Sequence, residues 1–99
     1  MALQIKWTAN ALEDYEKIVG YLIQEWSAQI AEKFIEIIEA RLETLSNYPY
    51  LGLASEKEPS IRSISLTKHN RLYYRMTASA IEVLDIFDTR QSPDKNRHT

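Results

Sequence analysis

Leu3, Ile5 and Trp7 alternate with Gln4 and Lys6, the period-two pattern of a half-buried strand. Thr8 follows, and a hydroxyl there can accept a bond from an early backbone N–H and open a helix. Beyond it the period changes. Leu12, Tyr15, Ile18, Val19, Leu22, Ile23 and Trp26 recur at intervals of three and four, which predicts an amphipathic helix of about 18 residues. Gly20 interrupts this stripe at a cost of ~1 kcal/mol relative to Ala, and its bare backbone would admit a close neighbour.

Ser27 is the next helix cap. A second stripe runs through Ile30, Phe34, Ile37, Ile38, Leu42 and Leu45, while Glu32, Glu36, Glu39 and Glu43 face elsewhere as solvated surface. Two long amphipathic helices joined by so short a link predict an antiparallel hairpin. Residues 46–60 contain Pro49, Gly52 and Pro59 and read as loop. Within it, Tyr48-Pro49-Tyr50-Leu51-Gly52 is apolar enough to pack on the rest of the chain. Three strands are predicted next, at Ile61–Leu66, Arg71–Thr77 and Ile81–Asp88, with turns at Thr67–Asn70 and Ala78–Ala80. The order β-α-α-β-β-β describes an α+β domain, a helical hairpin packed on one face of a small, mainly antiparallel sheet.

Length and composition narrow the class. The chain has 99 residues, is 44% apolar and 26% charged, and contains no cysteine. A chain of this size buries roughly 65% of its unfolded surface, enough for one core, so residues 1–99 read as one domain with a polar tail from about residue 92. No apolar run reaches the ~18–20 residues of a membrane span. The first residues lack a basic patch followed by an apolar stretch, so no signal peptide is expected and the cytoplasm is the expected location. Disulfides and thiolate metal sites are excluded, and with His69 and His98 the only histidines, no metal is expected.

The formal net charge of −2 is unevenly spread. Residues 1–60 hold ten acidic and five basic side chains, whereas residues 61–99 hold four acidic and seven basic ones. The overall sequence pI near 5.7 argues against a generic nucleic-acid binder. The basic part contains a row of interest, since alternation along a strand sends Arg71, Tyr73 and Arg75 to one face and Leu72, Tyr74 and Met76 to the other. Two guanidiniums with a ring between them can grip a phosphate or a carboxylate. The same pattern also fits an exposed face dressed for solubility. Arg62 is not placed by its neighbours, Lys68 and His69 lie in the adjacent turn, and Arg90 follows the last strand. Asp85 and Asp88, three apart, point to opposite faces and do not pair. With two glycines there is no phosphate-binding loop, and no cofactor is expected.

The segments Trp7-Thr8, Ala11, Asp14-Tyr15, Ile18 and Tyr21 resemble the first helix of the RelE/ParE superfamily of toxins from type II toxin–antitoxin (plasmid stabilisation) systems. Tyr48-Pro49 with Gly52 is similar to that family's Pro-x-x-Gly turn. Arg62-Ser63-Ile64, Asn70 to Arg75, Ile81 to Ile86 and Asp88-Thr89-Arg90 follow its strand pattern. The resemblance spans residues 3 to about 95, and its fold agrees with the element order read above. It implies a bacterial protein that arrests growth and is neutralised by a cognate antitoxin. That antitoxin would wrap the helices and sheet, its acids meeting Arg71, Arg75 and Arg90 and its apolar side chains meeting exposed Leu, Ile or Trp on the helices. A homodimer is a further implied state.

Within the superfamily, RelE-like members cleave mRNA on the ribosome and ParE-like members inhibit DNA gyrase. Cleavage needs a base, an acid and cations for the developing charge. In RelE-like relatives two lysines, two arginines and a C-terminal tyrosine or histidine supply them. Here Arg71 and Arg90 match the arginines, Ser63 and Ser65 stand at the lysine positions, and Asp88 stands where several relatives carry histidine. For a ribonuclease the candidates are therefore Arg71, Arg90, Lys68 and His69. A chain with pI near 5.7 is also poorly suited to the ribosome's phosphates. Both features favour the ParE-like branch, with gyrase inhibited by protein–protein contact and no reaction catalysed. Arg62, Arg71, Tyr73, Arg75 and Arg90 then become the target- or antitoxin-binding set. The alternatives are a ribosome-dependent endoribonuclease and a non-toxic interaction module of the same fold.

Overall fold

A computed structural model describes residues 2–89. Its elements are β1 (Gln4–Trp7), α1 (Ala9–Glu25), α2 (Ala28–Asn47), β2 (Leu53–Ala54), β3 (Ile61–Ser65), β4 (Asn70–Met76) and β5 (Ala80–Asp88). The strands form one sheet in the order β1-β5-β4-β3-β2. β1 runs parallel to β5 and the other neighbours are antiparallel, so the sheet is mixed.

Thr8 and Ser27 start the two helices as their positions predict. The Thr8 Oγ1 accepts from Ala11 N at 3.1 Å and the Ser27 Oγ from Ile30 N at 3.1 Å. Thr8 also does something its helix does not require. Its hydroxyl donates to the Val83 carbonyl at 2.9 Å, with the Leu84 carbonyl 3.3 Å away, and its own N–H reaches Val83 O at 3.1 Å. One residue therefore caps α1 and fastens it to β5.

The β4–β5 register shifts at this point. Tyr73 faces Asp85 and Tyr74 faces Val83, which leaves Leu84 as an extra residue. Such a bulge reverses the side-chain alternation. Ile81 and Val83 before it, and Ile86 after it, consequently all reach the core under the helices. There they meet Leu72 and Tyr74 of β4 and Phe34, Ile38, Leu42 and Leu45 of α2. α2 supplies most of the helical core, whereas Ala11 is the only fully buried residue of α1.

The segment predicted as loop over 46–60 differs from expectation. α2 continues through Asn47, and Leu53–Ala54 pairs with Ser63 and Arg62 as a fifth strand. Two residues are too few to show an alternation; the strand forms because β3 offers an unpaired edge. Gly20 is also not a point of close approach, since a Cβ there would meet nothing within 4 Å.

Thr8→Ala removes both the cap and the tie to β5. It should lower the unfolding free energy by about 2 kcal/mol in urea denaturation, against about 1 kcal/mol for Ser27→Ala. Equal losses would reduce Thr8 to an ordinary cap.

Candidate functional site

β4 turns Arg71, Tyr73 and Arg75 to the sheet face away from the helices. The register sets Ser65, Ser63 and Ile61 of β3 beside them. Each member of the row has a neighbour that defines what it can do. Arg75 is ion-paired across the strands, its Nε 3.1 Å from Glu82 Oε1. Tyr73 is buried, at 3% exposure. The Nε and Nη2 of Arg71 point at Ser63 Oγ, at 3.2 and 3.1 Å. Arg71, Tyr73 and Ser63 border a depression of about 350 Å³ closed on its other side by Leu53, Ala54, Ser55 and Glu56. A single guanidinium beside a hydroxyl can hold one carboxylate or phosphate oxygen pair.

Arg62 lies on the opposite face, across from Tyr74. Its Nη1 donates to the carbonyls of Gly52 at 2.7 Å and Tyr50 at 3.4 Å, and its guanidinium carbon sits 5.2 Å from the centre of the Tyr50 ring. The fully buried Tyr74 completes the clamp, donating its hydroxyl to Pro49 O at 2.8 Å and accepting from Gly52 N at 2.9 Å. Gly52 is required here, since a Cβ would lie 2.5 Å from the Tyr74 Oη and 2.8 Å from Ser63 O. The segment 48–52 is thus fastened to the sheet by its backbone. Its large side chains were expected to pack inward, yet Tyr48, Tyr50 and Leu51 are exposed. The backbone bonds to Tyr74 and Arg62 fix the loop, and the side chains are left outside.

Lys68 is exposed in the β3–β4 turn, and His69 beside it accepts through its carbonyl from Thr89 N at 2.8 Å. Neither is brought to Arg71 by a described bond. Ser63 accepts from Arg71 Nε at 3.2 Å, whereas Ser65 donates to Thr67 O at 3.1 Å. Arg90 and His98 fall outside the described residues. Among the described residues no cluster of His, Asp or Glu is arranged to hold a metal ion, and no helix is long and apolar enough to cross a membrane.

A second surface lies on the helices, whose exposed apolar residues were expected to meet an antitoxin, though the sequence did not place a groove there. Between the free end of the helical hairpin and β5 lies a groove of about 670 Å³. Ile18, Tyr21 and Leu22 of α1 and Ile30, Phe34 and Ile37 of α2 form its apolar wall, and Asp85 to Asp88 form its floor. The sequence signal existed: the helix stripes extend over more turns than a short sheet can cover.

The architecture, a helical hairpin on a five-strand sheet with this strand order, is that of the RelE/ParE superfamily. The profile of the ParE toxin of type II toxin–antitoxin systems (parDE) matches residues 5–93, and the chain belongs to that family. Solved structures share the fold. The chromosomal ParDE system of Pseudomonas aeruginosa superposes with a TM-score of 0.72 at 20% identity, covering 88% of this chain and 96% of that one. The YoeB dimer of Staphylococcus aureus gives 0.64 at 18% identity, over 88% and 97% of the two chains. The RelBE2 toxin–antitoxin complex of Mycobacterium tuberculosis gives 0.64 at 18%, over 89% and 99%. No curated protein matches the sequence significantly.

Burial holds the Tyr74 phenol above its ordinary range, against the opposing pull of the Gly52 N–H and the Arg62 charge. A raised folded-state value makes its stabilisation complete below the unfolded tyrosine value of about 10 and lost as pH rises through the folded value. Tyr74→Phe should cost about 1–3 kcal/mol at neutral pH by stranding Gly52 N and Pro49 O, and should flatten the loss of stability above pH ~10. Denaturation curves at pH 8 and above pH 10 would check both; an unchanged alkaline slope in Tyr74→Phe would assign that loss to other groups.

Proposed function

We propose that this ParE-family toxin arrests bacterial growth by binding DNA gyrase and that a cognate antitoxin holds it inactive. The observation that supports inhibition over cleavage is the commitment of the basic row. Arg75 is paired with Glu82, Arg62 is turned to the far face, and Ser63 and Ser65 occupy the positions where ribonuclease relatives carry lysines. What remains around Arg71 is one cation beside a hydroxyl, with Tyr73 buried. Phosphodiester cleavage needs an acid, a base and charge stabilisation converging on one atom. A surface contact with a protein carboxylate needs only a fixed guanidinium.

The antitoxin reading is supported by the family and by the toxin–antitoxin pairs among the structural relatives. Apolar residues on the exposed part of the hairpin suit a segment that folds as it binds. A gyrase target implies action in the cytoplasm.

Induction of the chain alone should arrest growth, and the purified protein should inhibit gyrase supercoiling at micromolar concentration while leaving translated reporter mRNA intact. Cut mRNA with unaffected gyrase would replace this reading with the ribonuclease one. Normal growth with soluble protein would replace both with a non-toxic interaction module.

A further inference from the structure

The bonds that fasten residues 48–52 to the sheet use backbone atoms of the loop: Pro49 O, Tyr50 O, Gly52 N and Gly52 O. Leu51 N also donates to Tyr48 O at 3.1 Å, closing a turn with Pro49 at its second position, where a fixed φ is favourable. None of these bonds calls for a large apolar side chain. Yet Tyr48, Tyr50, Leu51 and Leu53 are 67%, 71%, 55% and 71% exposed. Among the described residues they are all of the exposed large hydrophobics outside the hairpin of residues 9–47. Four such side chains within six residues make an apolar patch at the β2 edge of the sheet, and a patch of this kind marks an interaction surface.

We infer that this patch is the anchor by which the chain docks on its target, an inference that rests on the gyrase reading above. The apolar side chains enter a recess on folded gyrase, and a carboxylate at the rim of that recess meets Arg71. Side chains more than half exposed project from the surface, so the partner must supply the concavity. A folded protein does so and an extended peptide does not. The edge strand beneath is two residues long, too short a ladder to recruit a partner strand, so recognition falls to side chains. Leu53 also borders the depression that holds Arg71, which presents the apolar anchor and the guanidinium together. Glu56 borders the same depression and answers part of that charge, so the apolar contact carries most of the affinity. The loop is ordered before it binds. Its backbone is fixed, and the Arg62 guanidinium carbon lies 5.2 Å from the centre of the Tyr50 ring. Little freedom is then lost on docking, and rigid tyrosines are among the residues that dominate protein interfaces.

Two other occupants fit less well. Residues 90–99 contain no Leu, Ile, Val, Met, Phe, Tyr or Trp with which to cover the patch. A second copy would set one projecting loop against another and bring Arg62 and Arg71 of both copies together, and like charges in contact oppose association.

The test uses the full chain in the gyrase supercoiling assay. Tyr50→Ser and Leu53→Ser should keep the wild-type circular dichroism and each raise the half-inhibitory concentration roughly tenfold or more. Leu53→Ser keeps the test decisive if Tyr50→Ser loses its fold. Tyr50→Phe, which retains the ring, and Lys57→Ser, in the neighbouring exposed tip, should stay within about twofold of wild type. Arg71→Ala should weaken inhibition by a smaller factor, roughly threefold. Inhibition by both serine variants equal to wild type would overturn the inference and leave the gyrase reading standing. No inhibition by the wild type would remove the gyrase reading and the inference with it. A loss in Tyr50→Phe as large as in Tyr50→Ser would make the hydroxyl the contact and overturn the apolar anchor. Equal weakening by Lys57→Ser, or a greater effect of Arg71→Ala, would transfer the anchor to charge. A dimer in sedimentation that Tyr50→Ser dissolves would give the patch to a second copy. Each of these last results would likewise displace the inference.

Discussion

The hydroxyl of Thr8 sits at the one place where the helical hairpin and the central strand must agree, and it serves both. Its oxygen accepts from the first turn of α1 while its proton goes to the carbonyls of the β5 bulge. A helix crossing a sheet is otherwise held only by non-directional apolar contact, which fixes distance better than angle. Here the bond fixes the point at which α1 leaves the sheet. Asn10 and Asp14, within the first two turns of α1, take up further backbone groups of the same strand. α2 has ties of its own to the sheet side, with Arg41 Nε donating to Ser65 O at 3.1 Å and Leu3 N donating to Ser46 O at 3.0 Å.

The bulge itself decides which face each residue of β5 serves. If the alternation ran unbroken through Leu84, Ile86 would leave the core and Asp85 would replace it. α1's polar side chains meet the carbonyl and N–H groups that the irregularity turns away from β4. The cost of an interrupted ladder is offset locally, and the strand gains a second half that stands clear of β1.

Most of the fold was legible because it is written in periodicity. The change from period two to period three or four at Thr8, and back again near Ile61, locates strand, hairpin and meander within a residue or two. The two-residue β2 was not legible, because alternation cannot be seen in Leu53–Ala54. The bulge was hidden for a related reason, since the run from Ile81 to Ile86 only breaks its alternation at Leu84 and gives no hint of which side prevails. For the candidate site, the pattern correctly grouped Arg71, Tyr73 and Arg75 on one face. It could not show that Glu82 lies across from Arg75, which depends on the β4–β5 register. Nor could it show Arg62 reaching Gly52 and Tyr50, because that contact joins residues ten and twelve apart through a loop. Side-chain type was readable; pairing across strands was not.

The two halves of the segment between α2 and β3 differ in how much change of length they can absorb. Residues 48–52 are held at Pro49, Tyr50 and Gly52 by side chains from two strands, with no room at Gly52 for even a methyl group. An inserted residue there would pull those bonds out of phase. Residues 56–60 are exposed throughout and turn the chain back with local bonds, Glu58 N to Ser55 Oγ at 3.3 Å and Ile61 N to Glu58 O at 2.9 Å. Insertions are absorbed where the backbone has few such commitments. The tip at Lys57 to Ser60 is therefore the place where an epitope or a purification tag can be carried inside the chain, clear of the Arg71 depression that Glu56 borders and of the hairpin groove.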